Sequence, residues 1–78
     1  MVIKISFENK SSDIIDIIIE PEAINFELGI GKSLEIELTY KPDQLDEKLD
    51  TVMEKGRMII YQNRCAMKVY IDNELKYW

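Results

Sequence analysis

The sequence predicts a mostly β protein, a small antiparallel sandwich or barrel of about six strands. Three observations predict it. Apolar residues take every second position through most of the first forty, with Ile3, Ile5 and Phe7 set against Lys4, Ser6 and Glu8, and Leu34, Ile36, Leu38 and Tyr40 against Glu35, Glu37 and Thr39. A strand turns successive side chains to opposite faces, so this alternation makes one apolar and one wet face. Clusters of Asn, Asp, Ser, Gly and Pro cut the alternating runs into strand-length pieces. A length of 78 residues leaves room for one β-rich domain, residues 1–78. A chain of that size buries only about 60–65% of its unfolded surface, so its core is thin.

The first strand is expected over Val2 to Glu8, closed by the turn formers Asn9, Lys10, Ser11, Ser12 and Asp13. The second, Ile14 to Glu20, carries Ile15, Ile17 and Ile19 on one face and Ile14, Asp16, Ile18 and Glu20 on the other. Apolar groups on both faces read as a central strand, or one whose second face meets a partner. Pro21 has no N–H for a ladder and ends it. Strands over Ile24 to Leu28 and Ser33 to Tyr40 come next, joined through Gly29, Ile30, Gly31 and Lys32 as a hairpin. After Gly56 come strands over Arg57 to Tyr61 and Cys65 to Ile71, the latter with Cys65, Met67, Val69 and Ile71 inward, and a short one from Leu75.

Residues 43–55 read two ways. Leu45, Leu49, Val52 and Met53 stand at helical spacing behind a capping Asp43, with Gly56 to end a helix. Leu49, Thr51 and Met53 also alternate with Asp50, Val52 and Glu54 as in a strand, and Asp46 with Asp50, and Asp50 with Glu54, would repel on a helix. A short helix and an extra strand both stay open.

Several strings resemble chemistry. Gly29, Ile30, Gly31, Lys32, Ser33 suggests a phosphate loop, but the position of the first required glycine is Phe26, and Leu34 to Leu38 alternate as a strand where a helix is needed. The chain has no histidine, which removes Ser-His and Cys-His nucleophiles and the commonest transition-metal ligand. Asp16, Glu20, Glu22 and Glu27 around Pro21 are the carboxylates available for acid and base work, although strand faces of an acidic protein carry such groups anyway. Asp43, Asp46, Glu47 and Asp50 lack the spacing and central glycine of a calcium loop. Cys65, the single cysteine, excludes an intramolecular disulfide, reads as a buried inert thiol and makes a reducing cytoplasm the simplest location. Met1 leads directly into an alternating strand without the pattern of a secretory signal, and the run Ile14 to Ile19 is too short for a membrane helix.

Charge supplies the remaining signal. The net charge of −5 disfavours nucleic acid, despite the mixture of bases and aromatics between Arg57 and Trp78. It is unevenly divided: residues 13–54 hold twelve acids and three bases, whereas residues 55–78 hold five bases and two acids. Either the two parts attract one another within the fold, or the acidic part receives a basic partner.

The stretch Ile17, Ile18, Ile19, Glu20, Pro21, with Phe26, Glu27, Leu28, Gly31, Lys32, Leu34, Glu35 and Ile36 after it, resembles a group of short uncharacterised bacterial all-β proteins. In that group an apolar strand ends in Glu-Pro, usually continues with Trp-Gly, and leads to a strand and a glycine hairpin. Here Glu22 and Ala23 stand in place of Trp and Gly. Gly56, Met58, Ile59, Ile60 and Tyr61, then Val69, Tyr70, Ile71 and Asp72, are similar to the group's closing strands. The resemblance implies a strand over residues 49–54 and carries no activity.

Together these features lead us to expect a non-enzymatic, bacterial-type, cytoplasmic protein-binding module with no cofactor or metal. An immunity or inhibitor protein that covers a basic partner surface is the favoured form, with Asp16, Glu20, Glu22, Glu27, Glu35 and Glu37 as its contact acids. The alternative is a self-associating assembly protein, a homo-oligomer that uses its second strand or its terminal Tyr77 and Trp78.

Overall fold

A computed structural model describes all 78 residues. The chain forms β1 (Val2–Glu8), β2 (Ile15–Glu20), β3 (Ile24–Leu28), β4 (Ser33–Thr39), a 3₁₀ turn (Pro42–Gln44), β5 (Asp50–Glu54), β6 (Arg57–Tyr61), β7 (Ala66–Ile71) and β8 (Glu74–Tyr77). Eight strands therefore replace the expected six or so, in two four-stranded sheets ordered β1-β4-β7-β8 and β3-β2-β6-β5. Neither sheet closes into a barrel. Residues 43–55 take the extended alternative: the helical signal yields only the turn after Lys41, and Asp50–Glu54 pairs along β6. Of the four residues at helical spacing only Leu49 packs against the core, while Leu45, Val52 and Met53 stay exposed.

All pairings are antiparallel except β2 with β6, which run parallel from Asp16 opposite Arg57 to Glu20 opposite Tyr61. β2 is indeed central, held between β3 and β6. Its Ile15, Ile17 and Ile19 are buried, Ile18 on the opposite face is half-buried, and Ile14 lies exposed before the strand.

The glycine-rich connection is not a hairpin. β3 pairs with β2 and β4 pairs with β1 and β7, so Gly29 to Lys32 crosses from one sheet to the other. The reason is Asn9, the one polar residue that is buried. Its backbone N–H donates to the Lys32 carbonyl at 2.9 Å and its carbonyl accepts from Gly31 N–H at 2.8 Å, so β1 continues its ladder with β4 into the loop. Its side-chain amide donates to the Asp13, Leu28 and Gly29 carbonyls at 2.9, 3.0 and 3.3 Å, and its Oδ1 accepts from the N–H and hydroxyl of Ser11. Gly31 turns the chain there with φ of 77°, a conformation that costs glycine little.

Side chains from both sheets meet in one cluster of 14 buried residues, among them Ile17, Ile19, Leu28, Leu34, Leu38, Ile60 and Val69. Cys65 and Met67 belong to it as the alternation of β7 requires, while Ile71 is only half-buried. The edge strands are covered less well. On β1, Ile3 and Ile5 lie on the core-facing side opposite Leu38 and Ile36, yet they keep 38% and 42% of their surface exposed.

Two turns place residues other than glycine in the left-handed region. Asp72 and Asn73 join β7 to β8 with φ of 50° and 66°, a region that short polar side chains tolerate. Pro21, Glu22 and Ala23 join β2 to β3, with a cis bond before Pro21 and φ of 56° at Ala23.

Candidate functional site

Strand register assembles a surface on the outward side of the β3-β2-β6-β5 sheet. Because Ile15, Ile17 and Ile19 point inward, Asp16, Ile18 and Glu20 point outward, and their neighbours across the sheet fall into rows. The first row reads Glu27, Asp16, Arg57, Glu54. The second reads Asn25, Ile18, Ile59, Val52, and the third Glu20, Tyr61, Asp50. Successive rows lie about 7 Å apart and neighbouring strands about 4.8 Å, so an apolar strip with half-buried Ile18 and Ile59 runs between two acidic borders.

The strands of this face carry five carboxylates and one cation, Arg57. That guanidinium is held by Glu54, with its terminal nitrogen 2.6 Å and its Nε 2.7 Å from Oε2. Glu27 and Asp16 sit directly opposite one another, and like charges in that relation repel.

Of the six acids expected to form a contact set, Asp16, Glu20 and Glu27 share this face. Glu35 and Glu37 do not. They lie on the outward side of the other sheet, where Glu37 stands between Lys4 and Lys68, and Glu35 between Ser6 and Tyr70. Cations on the neighbouring strands compensate that face. Glu22 occupies the β2–β3 turn, where it accepts a 2.5 Å hydrogen bond from the Tyr77 hydroxyl. The Gln62 side-chain amide lies 2.6 Å from the same hydroxyl, and turning that amide over lets its NH₂ donate to the phenol oxygen. Tyr77 is buried, and burial, with the Glu22 carboxylate beside it, pushes its phenol up to about 12.

No pocket opens at the Pro21 corner or elsewhere on the surface. Nor do three or more carboxylate or thiol groups gather as metal ligands would. In the loop before β5, Glu47 instead binds the Arg64 guanidinium, which raises the Arg64 pKa, and Gln44 donates to the Arg64 carbonyl at 2.9 Å. Burial also pushes the Cys65 thiol up, away from the reactive thiolate, with Glu47 adding to the effect. Asp72 shows the opposite shift: Lys32, 3.0 Å away, and the Ser33 N–H hold its carboxyl below the usual range.

Sequence reasoning missed Asp50, Val52, Glu54 and Ile59 as members of the acidic face. The alternation of residues 49–54 contained the signal, but the competing helical spacing obscured it, and parallel pairing of β2 with β6 brings those residues beside Asp16 and Ile18. The second strand's edges are both paired, so self-association through its backbone is closed, while Trp78 remains exposed at the end of β8. No family model matches the chain, no curated protein matches it in sequence, and no solved structure matches its fold.

Proposed function

We propose that this chain is a β-sandwich protein-binding module without catalytic residues, and that it receives a basic partner surface on the outward side of β3-β2-β6-β5, as an immunity or inhibitor protein would. Its smallest dimension of 17 Å suits two sheets packed about 10 Å apart with their outward side chains. One observation carries the binding reading: an apolar strip of Ile18, Ile59 and Val52 lies between carboxylates whose one neighbouring cation is already paired. Apolar contact supplies affinity along the strip, and the borders select positive charge and steer its approach. The contact set is Asp16, Glu20 and Glu27 with Asp50 and Glu54. Glu35 and Glu37 face the other way and serve as controls.

The test compares capture from host extract at low salt by the wild-type chain, by Asp16→Lys/Glu27→Lys and by Glu35→Lys/Glu37→Lys. With the captured partner purified, the first variant should lower the association rate roughly tenfold or more and flatten its salt dependence. The second variant should bind as wild type does. Equal rates for all three chains, or binding indifferent to salt, would overturn the proposal.

A further inference from the structure

One of the two longest strands in the fold has an unpaired side. β1 spans seven residues without proline, glycine or bulge, pairs with β4 in unbroken register and has no neighbour on its other side. Its hydrogen-bonding direction is fixed at both ends. Tyr40 N–H donates to the Met1 carbonyl at 2.7 Å, and both backbone groups of Asn9 bond into the β3–β4 loop. Odd-numbered residues therefore turn their backbone groups toward β4. Val2, Lys4, Ser6 and Glu8 turn theirs to the open edge, and Ile3 and Ile5 beside them are incompletely covered.

We infer that this edge pairs antiparallel with the same edge of a second copy, about a two-fold axis at Ser6. The backbone parity admits that register, since Ser6 meets Ser6 as a mutually hydrogen-bonded pair. Charge then selects it. Lys4 falls opposite Glu8 of the second copy, and Glu8 opposite its Lys4, while Ile5 meets Phe7 on the core-facing side. Moving the axis to Lys4 would set lysine against lysine, and moving it to Ile5 would leave Lys4 opposite serine. An edge lysine ordinarily guards a strand against indiscriminate pairing; here it is matched in one register and penalises others. β5 offers no such match, because pairing it about Val52 sets Asp50 against Glu54 of the second copy. The product is a continuous eight-stranded sheet with both acidic faces on the same side, presenting two copies of the binding face in one direction.

Sedimentation equilibrium over a wide concentration range tests the pairing. The wild-type mass should rise with concentration toward twice that of one chain. Lys4→Glu and Glu8→Lys should each weaken self-association roughly tenfold or more, and an equimolar mixture of the two variants should recover it, because their charges then match across the edge. Ser6→Pro should abolish dimers, since it removes an outward N–H that the β1–β4 ladder does not use. A wild-type mass of one chain at every concentration would overturn the inference. Association unchanged by both single charge reversals, or a mixture no stronger than either variant alone, would overturn it equally. Equilibrium unfolding of each variant verifies that its fold is retained.

Discussion

Asn9 shows how much one side chain can decide. It is fully buried, yet its donors and acceptors meet Ser11, Asp13, Leu28 and Gly29, and no buried side-chain nitrogen or oxygen in the protein lacks a partner. Asn9→Ala should remove the side-chain bonds that tie the Asp13, Leu28 and Gly29 carbonyls together at the loop crossing and destabilise the fold by about 1–3 kcal/mol, measured by chemical denaturation. Ser11→Ala, which removes a hydroxyl at an exposed site, should cost less. Tyr77 supplies the complementary case, tying β8 of one sheet to the β2–β3 turn of the other through Glu22. Its phenol titrates near 10 when unfolded and is raised to about 12 in the fold. Below pH 10 both states keep the proton and the contribution is complete; from 10 to about 12 the unfolded chain loses it first, so stability falls as pH rises. Tyr77→Phe should cost about 1 kcal/mol at neutral pH and remove that part of the alkaline decline, a difference read from denaturation curves of the two proteins.

At the scale of elements, the sequence spoke clearly wherever a local period decided the outcome. β1, β3 and β6 begin and end where alternation and turn residues place them, and β2, β4 and β7 differ only at a boundary residue. It spoke less clearly where pairing partners are distant. Nothing local distinguishes Gly29 to Lys32 as a crossing from the same residues as a hairpin; the distinction lies in Asn9, whose side chain reaches carbonyls about twenty residues away. The same limit applied to the acidic face. Asp16, Glu20 and Glu27 were legible as outward acids, but their separation from Glu35 and Glu37 comes from which sheet each strand joins. One element retains a local mismatch. Ala23 holds a left-handed φ of 56° in the β2–β3 turn, a conformation that costs a residue with a Cβ about 1–2 kcal/mol. Ala23→Gly should relieve it, offset in part by the greater freedom of glycine when unfolded, for a net gain of about 0.5–1 kcal/mol and a raised melting temperature.

The whole molecule separates its charges by direction. One outward face is compensated by Lys4 and Lys68 around Glu37, whereas the other keeps its carboxylates in excess, so the division between acidic middle and basic end is only partly neutralised within the fold. Contacts such as Arg64 with Glu47 and Arg57 with Glu54 use bases from the last third to hold acids from the middle. The sheet orders carry a further consequence for how the chain is made. β6 lies between β2 and β5, and β7 lies between β4 and β8, so the last third supplies an interior strand to each sheet. Until it is synthesised, the earlier strands can form only two-stranded ribbons, which are marginal in water. Neither sheet can be completed before that segment emerges, and a ribosome stalled before Arg57 would hold a chain with two unpaired strand edges where the folded protein has sheet interiors.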